Sequence, residues 1–207
     1  MKAKDSILYT LGHSNHELEV FLGPLRQNGV EVVVDVRAQP YSAYAIQFNR
    51  DTLKASLKER GIRYLHMGDS LGGMLDEPSL VADGFLDYEK VARLPRFLQG
   101  IERVQAGVAK GYTLCLVCSE KDPAECHRGL LIARVLSENG LQVVHLTPDA
   151  PSETQRQLEE RLVATYFPQA NQMTLLGLPG TWEEKRVEAY RRQNRKIAPY
   201  RPKGGAS

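Results

Sequence analysis

Cys118, Glu120, Cys126, His127 and Arg128 lie together in one short polar stretch that follows a strongly apolar run, Tyr112 to Cys118. A thiol delivered to a turn by a strand, and facing the start of the next helix, is stabilised as thiolate by the helix dipole and free N–H groups. Arg128 and a protonated His127 add to that effect. The thiolate is both the nucleophile and the metal ligand, so the stretch points to one or the other. A buried packing role is the alternative for any single cysteine; the company of Glu120, Cys126, His127 and Arg128 favours a site around Cys118.

Cys115 reads differently. Three residues before Cys118 on a strand, it points to the opposite face and belongs to the core. That parity removes Cys115-x-x-Cys118 as a zinc knuckle. A metal site from Cys118, Cys126 and His127, with Glu120 or His13 as fourth ligand, stays open. No cofactor is required by any motif: neither dinucleotide nor P-loop fingerprints occur, and Gly72-Gly73 reads as a turn. Glu120, Asp122 and Glu125 in the loop after Cys118 oppose a bound phosphate.

These residues need elements to position them. Ile7–Leu11 reads as a strand, followed by a helix to Gln27 capped at Ser14 or Asn15. Glu31–Val36 is a valine-rich strand of the kind buried on both faces of a parallel sheet. Asn49 caps a helix from Arg50 to Arg60, and Ile62–His66 is the third strand. Gly68–Leu86 is a long loop or lid. Asp87–Lys110 is a helix interrupted near Pro95, His127–Asn139 a helix, and Gln142–Leu146 the last strand. Strand, helix and strand at crossover spacing predict an α/β fold: an open, mostly parallel sheet with helices on both faces.

In such sheets ligands bind beyond the carboxyl ends of the strands. The first strand ends at His13 and Ser14, the second at Asp35 and Arg37, the third at His66, the fourth at Cys118. The expected catalytic group is therefore Cys118, Glu120, Cys126 and His127. His13, Ser14, Asp35, Arg37, Asn49 and Arg128 are the expected substrate clamp, with Arg37 reaching across the edge to the acids of the Cys118 loop.

The chain has 207 residues, 42% hydrophobic and 25% charged, which suits residues 1–150 as one α/β domain and 151–207 as a helical extension. Ser152-Glu153-Thr154-Gln155 and Thr181-Trp182-Glu183-Glu184 are capping boxes opening two extension helices. Three clustered cysteines, no apolar run of membrane-spanning length and no signal core predict a cytoplasmic protein without membrane contact. The net charge of +2 divides unevenly: eight Lys/Arg against three acids from Trp182 onward give +5 there and −3 elsewhere. Such a tail, with Trp182, Tyr190 and Tyr200 to stack on bases, allows nucleic-acid binding; a solvated helix of ion pairs is the plainer reading. Pro199–Gly205 reads as disordered, and the body reads as able to fold without Trp182–Ser207.

Tyr9-Thr10-Leu11-Gly12-His13-Ser14, Val34-Asp35-Val36-Arg37-x-x-Pro40, Asn49, Leu71-Gly72-Gly73 and Cys118-x-Glu120 through Cys126-His127-Arg128 together resemble the bacterial domain-of-unknown-function family 488, from about Ile7 to Thr147. Glu188-Ala-Tyr-Arg-Arg-Gln is similar to tails of some members. The resemblance implies an α/β fold and an unassigned activity; some members carry a label linking them to DNA repair. A looser likeness to rhodanese-type sulfurtransferases rests on Val34-Asp35-Val36-Arg37 with Tyr44 and on the strand–Cys118–loop–Arg128–helix order, from which loop length and the three loop acids depart. Two readings follow: an enzyme using a thiolate or acid–base chemistry on an unidentified substrate, a small molecule or nucleic acid, and a nucleic-acid-associated or repair-related module using the cleft and basic tail.

Overall fold

The structure, a computed structural model, describes residues 7–168 and 180–200. It is an α/β fold around one mainly parallel sheet. β1 (Ile7–Gly12), β2 (Val32–Asp35), β3 (Arg63–His66), β6 (Leu114–Cys118) and β7 (Gln142–Leu146) run parallel in the order β3-β2-β6-β1-β7. A two-residue strand β8 (Glu153–Thr154) adds antiparallel to the β7 edge. The near-continuous apolar runs of β2 and β6 are explained by position: every residue of both is buried, because helices cover both faces.

The faces follow period two. Leu11, Val33, Cys115 and Val117 pack with α1 (Leu18–Gln27) and α2 (Arg50–Glu59) through Phe21, Leu22, Leu25, Leu53 and Leu57. Leu8, Val34, Leu116 and Cys118 face the other way, onto α5 (Pro95–Ala109), α6 (Arg134–Glu138) and α7 (Gln155–Tyr166). Cys115 and Cys118 thus fall on opposite faces.

Several elements differ from expectation. α1 is capped at Glu17 without a side-chain bond, and Ser14 instead takes a left-handed turn at φ 47°. Gly68–Leu86 is ordered, with α3 (Gly68–Leu71) and a hairpin of β4 (Val81–Ala82) and β5 (Phe85–Leu86). The helix from Asp87 is interrupted before Pro95 as expected, into α4 (Tyr88–Val91), capped by Asp87, and α5, which Pro95 opens. The capping box of α7 sits at Thr154 and Gln157 rather than Ser152, because Glu153 and Thr154 are first used to pair with β7. The box at Thr181–Glu184 opens α8 (Trp182–Ile197) as read.

α8 is no detachable tail. Ala189, Tyr190, Gln193 and Asn194 are buried, and α8 packs along α7 into the same core as the sheet. Tyr190 donates to Glu159 at 3.0 Å, and Gln155 links its hydroxyl at 2.6 Å to His145, which meets Thr10 of β1 at 2.7 Å. Removing α8 would unmask that chain, which argues against the expectation of an independently folded body. Pro199 and Tyr200 are likewise placed: Pro199 bridges to Phe85, Tyr200 N–H donates to Gly84 O, and its hydroxyl reaches Asp76. Arg201–Gly205 lie outside the described residues. No helix among the described residues is long and apolar enough to cross a membrane.

Candidate functional site

β6 lies between β2 and β1, so the loop after Cys118 opens at the middle of the sheet's C-terminal edge. That loop doubles back through a 3-10 turn (Pro123–Glu125), capped by Asp122, and returns Cys126 and His127 beside Cys118. The chain then enters a π-helical segment, Arg128–Ala133, before α6. Wide turns of this kind recur at functional sites. Gly12, at the end of β1, permits the fold-back: a Cβ there would sit 1.9 Å from the Glu120 carbonyl oxygen.

Four potential ligand atoms result, one each from Cys118, Glu120, Cys126 and His127, all within 4.8 Å of one another. Both sulfurs touch the same carboxylate oxygen, Glu120 Oε2, at 3.1 Å from Cys118 and 3.0 Å from Cys126. His127 Nε2 donates to Val36 O at 3.2 Å, which leaves Nδ1 facing the sulfurs at 3.6 Å and 3.9 Å. Glu120 alone of the four is exposed.

The thiols are not equivalent. The hydrogen bond with Cys126, then burial, pushes the Cys118 thiol well up. Burial alone would also raise Cys126, but the bond from Cys118 and the charges of Arg128 and His127 outweigh it and hold that thiol well down. The Arg128 backbone N–H points at Cys126 Sγ at 3.4 Å. The helix start therefore serves Cys126, not Cys118 as expected from the strand-to-turn placement. Burial opposes protonation of His127, yet the Cys126 sulfur raises its pKa on balance. Burial and the neighbouring Cys126 keep the Glu120 carboxyl above its ordinary range.

Arg128 is completely buried and clamps the loop, donating to Glu120 O at 2.5 Å and Lys121 O at 2.8 Å. Its Nε has no partner, and no carboxylate among the described residues pairs with it. Asp122 is taken by Arg161 at 2.8 Å and Glu125 by Lys196 at 3.5 Å.

The expected clamp residues form a closed lattice instead. Arg37 donates to both oxygens of Asp35 at 2.9 Å and 2.5 Å, to Phe48 O at 2.8 Å and to His13 Nε2 at 3.0 Å. It makes no bond to Glu120, so its reach across the edge is not seen, although it lines the cleft. His13 stacks on Phe48 and bonds Ser14 O through Nδ1. Burial, then Arg37, lowers its pKa to about 4, which keeps it neutral and able to accept from that guanidinium. Tyr64 closes the lattice on Asp35 at 2.7 Å. Asn49 starts α2 without capping it: its side-chain oxygen accepts from Ser42 N–H at 2.7 Å. Ser14 lies outside the cleft wall, its hydroxyl turned to Asn15.

The four clustered residues floor a cavity of about 400 Å³. Gly73–Asp76 form one wall, and Ile197–Tyr200, at the end of α8 and beyond it, form another. Gly73, read in the sequence only as part of a turn, lies against His127, and Tyr88, which did not stand out, faces the cavity. The glycine pair was the available signal for Gly73, whereas a tyrosine opening a four-residue helix carries none. Three of the four arginines of α8 are engaged: Arg186 with Glu183, Glu138 and Glu159, Arg192 with Glu188, Arg195 with Asp83.

Comparison with known proteins yields no match among curated proteins and none among solved structures. Nothing in them supports the rhodanese likeness or a link to DNA repair. A family model described as "Domain of unknown function DUF488" matches residues 17–136, more than half of the chain and all four clustered residues, and the chain belongs to that family.

Proposed function

We propose that Cys118, Cys126, His127 and Glu120 hold a divalent transition ion of the zinc class, and that the loaded centre acts as a Lewis acid on a small molecule in the cavity. The observation that carries this reading is the convergence of four donors within 4.8 Å. A tetrahedral zinc site with Zn–S of about 2.3 Å and Zn–N of about 2.0 Å has S–N edges of roughly 3.5 Å. The sulfur–Nδ1 separations of 3.6 Å and 3.9 Å approach that. A ligating histidine ordinarily donates its other N–H to a carbonyl, as His127 does to Val36.

Charge supports a dication. Two thiolates and a carboxylate cannot crowd together unprotonated without a cation. A dication leaves one negative charge, and the completely buried Arg128, which lacks a carboxylate partner, neutralises it. Glu120, exposed, is the ligand that exchanges with substrate or water, leaving a Cys2His centre with one open position. Protein prepared without chelator should carry about one equivalent of zinc by mass spectrometry, and His127→Ala or Cys126→Ser should lose it. Cobalt(II) should give the intense visible bands of a tetrahedral thiolate site. A folded parent that takes up neither ion ends this reading.

A second reading has its own observation: Cys126 Sγ lies 3.9 Å from His127 Nδ1 and 3.4 Å from the Arg128 N–H, contacts that favour its thiolate. As a nucleophile it would label with iodoacetamide at mildly acidic pH before Cys118 and Cys115. Labelling that is unaffected by zinc would favour the nucleophile over the metal centre. A nucleic-acid role draws little support from α8, three of whose four arginines are engaged in ion pairs.

A further inference from the structure

Tyr88 stands where α4 begins, at 6% exposure, and lines the cavity above the four donors. Its place is fixed from behind, since its backbone N–H donates to Asn194 Oδ1 at 2.9 Å. Its phenol lies in the field of Cys126, Cys118 and Glu120, yet no hydrogen bond reaches the hydroxyl among the described residues. A tyrosine this buried ordinarily satisfies its hydroxyl within the protein. One that does not, and that borders a cavity, has its acceptor in whatever the cavity binds.

The rest of the wall restricts that occupant. Leu75, Leu86 and Ile197 supply apolar surface. Among the described lining residues the single Lys or Arg is Arg37, and its guanidinium is committed to Asp35, Phe48 O and His13. Asp76 adds negative charge, while Glu125 is paired with Lys196 at 3.5 Å. Apart from the ion proposed for the four donors, an anionic ligand would meet no uncommitted side-chain cation among the described lining residues, which is costly for a desolvated charge. The volume of about 400 Å³ suits a small organic molecule.

We infer that Tyr88 is the second anchor of this cavity, donating its hydroxyl proton to the oxygen of a small, uncharged, partly apolar carbonyl compound whose same oxygen meets the ion held by Cys118, Cys126 and His127. A carbonyl oxygen has two lone pairs, one for the ion and one for the phenol. The inference rests on the metal reading for one of its two contacts and on Tyr88 alone for the other.

Benzamide, benzoate and phenyl phosphate share a ring and differ in charge. Their binding to the full chain, zinc-loaded and chelator-stripped, can be measured by ligand-observed NMR, with zinc content and Tm recorded for each sample. Benzamide should bind at least tenfold tighter than phenyl phosphate. Tyr88→Phe, which keeps the ring and its packing, should weaken benzamide about tenfold at unchanged zinc content and Tm. Benzamide that fails to bind, anions that bind as well, or a Tyr88→Phe protein with undiminished affinity would overturn the inference. If the parent takes up no zinc, the metal reading alone has failed. The Tyr88→Phe comparison then decides on the stripped protein: a tenfold loss upholds the phenol contact and no loss removes it.

Discussion

A Cβ on Gly73 would fall 2.5 Å from Cγ of His127 and 2.8 Å from its Nδ1, so loop backbone and imidazole are in direct contact. The loop presses the ring into the one orientation that bonds Val36 O and turns Nδ1 to the sulfurs. Gly73→Ala must displace that ring. It should lower zinc affinity about 10–100-fold, the usual effect of disturbing a ligand's support. Competition with a chromophoric chelator reads the change, and an unaltered affinity would detach the loop from the site.

Asp35 and Arg37 form a buried ion pair, with side chains 0% and 5% exposed. Breaking such a pair by removing one partner costs about 3–5 kcal/mol. Asp35→Ala should therefore lower stability in urea by that order. A loss under 1 kcal/mol would show that the lattice of Arg37, His13 and Tyr64 does not hold β1 and β2 together.

His145 links Thr10 to Gln155, and burial first, then Arg128, lowers its pKa to about 3. The folded protein refuses a proton that the unfolded chain accepts near 6.5. Its contribution is complete above pH 6.5 and is lost as pH falls from there towards 3, by about 1.4 kcal/mol per unit. His13, lowered to about 4, adds a second proton in the upper part of that window. Chemical denaturation from pH 7 to 4 should show His145→Asn with a shallower decline than the parent; parallel curves would refute the assignment.

Tyr190 ties α8 to α7 and to the sheet through Gln155 and Glu159. Tyr190→Ala should cost about 3–5 kcal/mol, the range for emptying a large aromatic site. Ending the chain at Gly180 should abolish near-ultraviolet circular dichroism. A truncated protein with intact tertiary signal would return α8 to the status of an appendage.

Much of this architecture was legible in the sequence, and the failures share one cause. Strand runs such as Leu114–Cys118 announce burial on both faces, and residue parity alone separates Cys115 from Cys118. Strand ends place His13, Asp35, Arg37 and Cys118 along one edge. Spacing does not reveal which of them pair, and Arg37 turned to Asp35 and His13 rather than to the Cys118 loop. In α8, Gln193 and Asn194 read as solvated because their partners, Ala124 O and Leu86 O, lie far away in sequence. Buried polar groups satisfied over such distances leave no periodic trace.

The strap formed by Ala198, Pro199 and Tyr200 on β5 and Gly84 has a bearing on synthesis. On a chain emerging from the ribosome, Cys118, Cys126 and His127 are all present once β7 is made, before α7 and α8 can complete the core around them. The wall that shields them is translated some fifty residues later. During that interval the reactive sulfurs stand open to oxidants, stray metals and passing electrophiles, so the nascent chain is the form of this protein most in need of a reducing environment.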